Sequence, residues 1–410
     1  MKIKETKELI QIEKVIIIGA GTSGYFLTFE LLKKGIAVDL YELTGGALKK
    51  FLIAGKGGLN LTHSDNKPQF VSKFGKNKRY FETLISHFSN DDLRKWFAEL
   101  GIETYIGSSK RVFPKDKTAG EILRIWIDKC HTYENFNFHP KYRLIDFNNG
   151  LIVKKDKGEV LNLGSENIVM ALGGASYKNT GSNGDWVKII NKMNIKLREF
   201  SPVNCGFEVD WKEGFVEKVS HQPLKNILIK CEEIQFRGEI LLTSYGVEGS
   251  GIYALSRQIN NIILENNYCQ LEVDLKPDIN LEDIKLKLAR HRNKSSFTNF
   301  LRKTLNLDLA TMELLKSTST KTQFNDVDKL ALLIKACPIR LERARPIDEA
   351  ISTAGGILFE EVNIDLSLKK YPGIYIMGEM LDWDAQTGGY LFQGCFSMAS
   401  WIASQFTLKK

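Results

Sequence analysis

The chain has 410 residues, 43% of them hydrophobic and 26% charged, and a formal net charge of +8. That length and balance predict two or three globular domains and exclude disordered, collagen-like and disulfide-scaffold classes. Apolar runs such as residues 15–18 and 168–172 fall far below the ~20 residues of a membrane span. The start, MKIKETKELIQIEK, is polar and charge-alternating and does not read as a signal peptide. A cytoplasmic protein without membrane association is expected. Six widely spaced cysteines form no CxxC, and six histidines form no HxxxH or HxH. Neither a redox-active disulfide nor a metal site is predicted. The densest basic stretch is Lys285, Lys287, Arg290, Arg292 and Lys294. It reads first as the solvated face of a helix, and second as a surface for an anionic partner such as nucleic acid.

The first element is a β-branched run, KVIII at 14–18, followed at once by Gly19-Ala20-Gly21-Thr22-Ser23-Gly24. A helical pattern, YFLTFELLKKG, comes next, and then a second strand, IAVDLYE, that ends in Glu42. Strand, glycine turn, helix and strand in this order predict a dinucleotide-binding turn. Gly19 permits the tight turn, Gly21 lets the backbone approach a pyrophosphate, and Gly24 lets the helix pack closely. The helix N-terminus presents N–H groups and partial positive charge to the phosphates. Glu42, 18 residues after Gly24, can accept hydrogen bonds from both ribose hydroxyls of an adenosine. Its charge would repel a 2′-phosphate, which favours FAD or NAD over NADP.

The loop after Glu42 holds Gly45, Gly46, Gly55, Gly57 and Gly58, then Asn60, Thr62 and His63. A glycine-rich polar loop suits an extended cofactor that the chain wraps, which points to FAD. Residues 91–101 predict a helix with a glycine stop, and 119–130 a second helix. The apolar strand at 167–172 runs into Gly173 and Gly174, where the chain can pass a pyrophosphate. Near the C-terminus the strand 373–377 ends in Gly378 and Glu379, followed by Thr387-Gly388-Gly389-Tyr390 and a last helix. Glu379 can bind a flavin ribityl chain, and the helix N-terminus can stabilise negative charge at the flavin N1/O2 edge.

Seven long segments occur in an order that resembles one family. They are GAGTSG at 19–24, FLIAGKGGLNLTHSD at 51–65, RVFPKDKTAGEIL at 111–123, IVMALGGASYKNTGSNGDW at 168–186, GEILLTSYGVEGSGI at 238–252, AISTAGGI at 350–357 and MGEMLDWDAQTGGYLFQGCFSMAS at 377–400. Together they resemble the HI0933-like family of NAD(P)/FAD-dependent oxidoreductases, with its aminoacetone oxidase-like and bile-acid-dehydrogenating reductase-like members. The resemblance spans nearly the whole chain. One segment departs from it. Where the family carries SGGGRCNVTN, its Arg and Cys positions here hold Gly58 and Leu59, as in a subgroup with GKGGLNLTHS. No role of that cysteine carries over, whereas the Asn60 and Thr62 positions do.

The motifs and the resemblance together predict FAD contacts at Gly19, Ala20, Gly21, Thr22, Ser23, Gly24, Glu42, Leu43, Lys50, Phe51, Asn60 and Thr62. Further contacts are expected at Ala171, Gly173, Gly174, Gly378, Glu379, Gly388, Gly389, Tyr390, Leu391 and Phe392. Candidate catalytic residues are His63, as a proton donor or a structural loop histidine, and Tyr245, as a pocket-lining residue. Tyr390 is a third, set against the flavin or capping the last helix. Cys395 reads as core.

The expected fold is α/β: a glutathione-reductase-like FAD-binding Rossmann domain with an insert. The FAD-binding domain is assigned to 1–199 and 346–410, and the inserted domain to 200–345. Within the insert, a β-barrel or sandwich covers about 200–277 and a small helical subdomain about 278–345. The function expected is that of an FAD-binding oxidoreductase acting on a small molecule held between the flavin and the insert. Reduction of an activated C=C bond and oxidation of an amine both remain open. The alternative class is a flavin-dependent RNA-modifying or RNA-binding protein. No second GxGxxG follows a strand, so NAD(P)H is expected at most as a transient reductant.

Overall fold

The structure is a computed structural model that describes residues 9–290 and 296–409. The chain divides into two units, Met1–Ser201 with Ser352–Lys410, and Pro202–Ile351.

In the first unit the β-branched run forms β1 (Lys14–Ile18), with Val15 and Ile17 fully buried. Residues buried on both faces are what a parallel sheet covered by helices requires. The chain turns into α1 (Thr22–Lys33) and returns as β2 (Ala37–Glu42). Three further strands follow: β3 (Thr62–His63), β4 (Thr104–Ile106) and β5 (Arg111–Pro114). Next come β6 (Phe136–Pro140) and β7 (Ile168–Met170). The central sheet runs in the order Ile374–Ile376, β7, β1, β2, β6, with every pair parallel. The second strand in sequence therefore lies to one side of β1 and β7 to the other, which places the β1–α1 turn at a topological switch point. Helix Ala119–His131 opens with a capping box from Thr118 and Glu121. Helix Asn90–Glu99 is capped in the same way by Ser89 and Asp92, and Gly101 (φ 73°) lies just beyond its end. A small antiparallel sheet, β3-β5-β4, stands apart from the central one. The last helix, Tyr390–Gln405, packs against α1, and Phe26, Trp96, Trp126 and Phe396 meet ring to ring in the core.

The second unit has its own core. Its seven-stranded sheet is antiparallel throughout, in the order Cys337–Leu341, Cys269–Asp274, Gln222–Cys231, Ile234–Leu242, Gly246–Glu248, Phe207–Glu208, Arg343–Ala344. The two outermost strands are separated by Glu342 alone. A flat sheet cannot bring its opposite edges that close, so the sheet curls to near closure, as a barrel does. Helix Ser250–Asn266 covers it, and short helices from Leu281 to Lys335 complete the unit. Of the basic stretch, Arg292 and Lys294 lie outside the described residues. Lys285 pairs with Glu282 and Asp328, as a solvated helix face does. This unit holds 21 Lys and Arg against 21 Asp and Glu, so the entire +8 belongs to the other unit, 36 against 28.

Candidate functional site

The glycine turn is crowded at two positions and open at one. Gly19 sits at φ 110°, and a Cβ there would lie 2.3 Å from the Ala171 carbonyl oxygen. A Cβ on Gly24 would fall 1.9 Å from the Gly19 carbonyl oxygen, so Gly24 packs the helix onto the turn itself. Nothing lies within 4 Å of a Cβ built on Gly21. Gly21 is also the N-cap of α1, with no side chain capping the helix and no acid in its first turn. The N–H groups there are left for an external anion.

Glu42 is buried at the end of β2. Its Oε2 accepts from the Ala20 N–H at 2.9 Å. Its Oε1 accepts from the Thr44 N–H at 2.8 Å and the Thr44 hydroxyl at 2.7 Å. A carboxylate has about four lone-pair sites. About one therefore remains for a ribose hydroxyl, fewer than the two bonds that sequence position alone suggests.

Three distant segments meet at Lys50. Its ammonium donates to Glu379 Oε2 at 3.1 Å and to Ser176 Oγ at 3.2 Å. Glu379 is thus not a surface acid: its side chain is 15% exposed and ion-paired. Burial pushes the Cys395 thiol up to about 12, and the Glu379 charge adds to the effect. Gly174 abuts Thr353, where a Cβ would lie 2.1 Å from Oγ1, and Gly173 and Gly378 both have positive φ. Phe51 lies in the core between Trp126 and Phe392. Thr62 is fully buried, and its hydroxyl donates to Gln393 at 2.8 Å. Asn60 is different, since its Oδ1 is buried and has no hydrogen-bond partner among the described residues.

The last helix begins at a pair of positive-φ glycines, Gly388 (125°) and Gly389 (89°). A Cβ on Gly389 would lie 2.5 Å from Thr62 Cα, so the helix start is pressed against β3. Tyr390 is buried; its hydroxyl donates to Asp65 Oδ2 at 2.7 Å, and its ring stacks on His63 at 5.1 Å. Tyr390 therefore does not merely cap the helix. Burial and the Asp65 carboxylate raise its pKa, which makes it a weak proton donor. His63 Nδ1 accepts from the Asp65 N–H at 3.2 Å. Burial lowers the His63 pKa; Asp65 and a bond to the Ser109 backbone oppose this, and Lys73 and Arg111 reinforce it.

Tyr245 belongs to the second unit and lies in a network of its own. Its hydroxyl donates to Glu248 at 2.5 Å, and the Arg345 guanidinium lies 4.4 Å over its ring. Arg345 in turn binds Glu208 and Glu349. Sequence reasoning missed Thr44, Ser176 and Asp65 as partners of Glu42, Lys50 and Tyr390, since each bond depends on loop geometry. It quoted Arg111 within RVFP without giving it a role. Among the described residues no group of three or more His, Cys, Asp or Glu could hold a metal ion, and no helix is long and apolar enough to cross a membrane.

An open glycine at an uncapped helix start, set at the switch point of a parallel sheet, defines a Rossmann-type dinucleotide-binding protein. The chain belongs to the HI0933-like family: the family's Rossmann domain matches residues 13–406. This is a family of FAD-dependent oxidoreductases. The chain is 22% identical over 405 residues to the 3-dehydro-bile acid delta(4,6)-reductase of Clostridium scindens, covering 93% of this chain and 95% of the relative. It is 24% identical over 421 residues to the ribosomal RNA dihydrouridine synthase of Escherichia coli, covering 95% of this chain and 96% of the relative. A flavocytochrome c3 fumarate reductase structure shares the fold at 13% identity and a TM-score of 0.52, covering 96% of this chain and 78% of that one. The residues present fit FAD. Gly21 offers a cradle that a Cβ would fill, α1 offers uncapped N–H groups, and Asn60 offers a buried acceptor still in need of a donor.

Proposed function

We propose that this protein reduces a carbon–carbon double bond conjugated to a carbonyl, with FAD as cofactor and NAD(P)H as transient reductant. One observation carries this reading. Two relatives named for unlike substrates are named for the same bond chemistry. One reduces the 4,6 double bonds of a 3-dehydro bile acid, and the other makes dihydrouridine, which is uridine with one ring double bond reduced. Amine oxidation finds no such support.

Bound FAD supplies the hydride chemistry. The turn from Gly19 to Gly24 and the α1 N-terminus hold its pyrophosphate, and Glu42 takes one ribose hydroxyl. Lys50 holds Glu379 through Oε2, which leaves Oε1 to accept from the ribityl chain. Asn60, whose buried Oδ1 has no partner among the described residues, would accept from a cofactor N–H. The N-terminus of the last helix, fixed by Gly388 and Gly389, stabilises negative charge at the pyrimidine edge. Tyr390 and His63 are held by Asp65 and shape the site without donating the proton.

A second reading, reduction of uridine within RNA, is favoured by the names of the Escherichia coli and Haemophilus influenzae relatives. The position of the net charge, all in the first unit, is compatible with it. The test is anaerobic. Flavin absorbance near 450 nm should bleach with NADH or NADPH and return on adding a conjugated enone or a uridine-containing RNA. The product should gain about 2 Da, the mass of two hydrogens. Bleaching of the oxidised flavin by an amine in place of NADH or NADPH, or return of colour with neither the enone nor the RNA, would overturn the proposal.

A further inference from the structure

The His63 neighbourhood holds cations without anions to balance them. Arg111 faces His63 directly across the β3–β5 pair. Its Nε lies 3.9 Å from the position of a Gly388 Cβ, beside the start of the last helix. Among the described residues no carboxylate pairs with this half-buried guanidinium. The backbone just before Arg111 is fixed, because the Lys110 carbonyl accepts both the N–H and the hydroxyl of Ser64. Lys73 is likewise unpaired, and its charge reaches His63. The acid beside the His63 ring, Asp65, accepts from the Tyr390 hydroxyl. Two cations, Arg111 and Lys73, thus act on His63 against one carboxylate, Asp65. An Arg held half-buried without a partner gives up hydration and regains it only through a ligand.

We propose that Arg111, with Lys73 as the second cation acting on His63, is the residue that holds an anionic group of the substrate, a carboxylate or a phosphate, beside the reacting double bond. This rests on the reading that the start of the last helix marks the flavin's reacting edge. It adds that the substrate is an anion. Arg111 supplies a planar two-pronged donor, which suits either oxyanion.

The experiment uses the full chain loaded with FAD. Acetate and inorganic phosphate are titrated separately by calorimetry, against wild type, Arg111→Lys and Arg111→Gln. Wild type should bind at least one of the two saturably. Arg111→Gln should weaken that binding about tenfold, the scale of one charge-assisted hydrogen bond, and Arg111→Lys should recover part of it. Flavin occupancy should stay unchanged in both variants. Tighter acetate binding marks a carboxylate substrate, and tighter phosphate binding marks a phosphate one. Equal affinity in wild type and Arg111→Gln, or no saturable binding of either anion, overturns the proposal. Should Arg111→Gln fail to fold, Lys73→Gln reads the same site, and unchanged anion affinity there is equally fatal. The flavin reading fails differently: the protein would be colourless while calorimetry still reported the anion site.

Discussion

Glu42 is the residue whose role changes most when its surroundings are known. It tethers the glycine turn through Ala20 and the following loop through Thr44 before it meets any ligand. Glu42→Gln would turn an NH2 group toward one of two backbone N–H groups, setting donor against donor. We therefore expect Glu42→Gln to lose FAD affinity by about tenfold or more, given roughly 1.5–3 kcal/mol per hydrogen bond to a charged group. Titration of apo-protein with FAD measures it, and unchanged affinity would show that the tether is dispensable. His63 gives a second expectation. Its folded pKa lies below its ordinary value, chiefly through burial. Between that lowered value and about 6.5 the unfolded chain binds more protons, so stability rises with pH across this window and falls as pH drops. His63→Gln should flatten the slope, which urea titrations at several pH values will read. The glycines and Glu42 were legible in sequence because their spacing alone defines the turn. The partnerless state of Arg111 was not, because it depends on where Asp65 points.

At the scale of elements, the join between β3 and the last helix is the tightest feature of the site. Gly389 combines a positive φ with a backbone 2.5 Å from any added Cβ. Gly389→Ala should cost about 1–2 kcal/mol from backbone conformation and more from displacing β3. A lowered melting temperature together with a lower flavin-to-protein ratio is the expected signature. A variant that melts like wild type would mean that β3 yields freely. The crowding at this glycine comes from the Thr62 backbone. A two-residue strand has no periodicity to read, so this contact could not be anticipated. In the second unit, helix Leu309–Thr318 carries the buried Glu313. Burial raises its pKa, but bonds from Lys316 and Lys218 outweigh burial and hold it below the usual carboxylate range. Its contribution is therefore present above the ordinary carboxylate pKa and lost as pH falls through the lowered one. Glu313→Gln should lower stability at pH 7 and shrink the difference between pH 7 and pH 3. Equal acid sensitivity in the two proteins would count against the ion pairs.

For the whole molecule, what matters is that each unit buries a hydrophobic core of its own. Alternating strands after residue 202 and helical periodicity after 280 were visible as patterns. The near-closure of the barrel was not, because it depends on Glu342 joining two outer strands that are remote in the sheet order. Charge followed neither pattern: the basic stretch near Lys285 drew attention to a unit whose charge is balanced, while the surplus lies in the other. Every residue assigned to FAD also lies in that other unit. A ligand that binds only the folded form stabilises by RT ln(1 + [L]/Kd), about 4 kcal/mol at a thousandfold excess over Kd. That stabilisation acts only on the unit whose folding creates the site. Calorimetric melting with increasing FAD should therefore show one transition rising with ligand concentration and another that stays in place. The residues of the moving transition can be identified by limited proteolysis, where peptides from residues 9–201 and 352–409 gain protection with FAD and those from 202–351 do not. If both transitions climb together, or a single transition carries all the heat at every FAD concentration, the two cores fold as one cooperative body and the cofactor's reach extends beyond the unit that binds it.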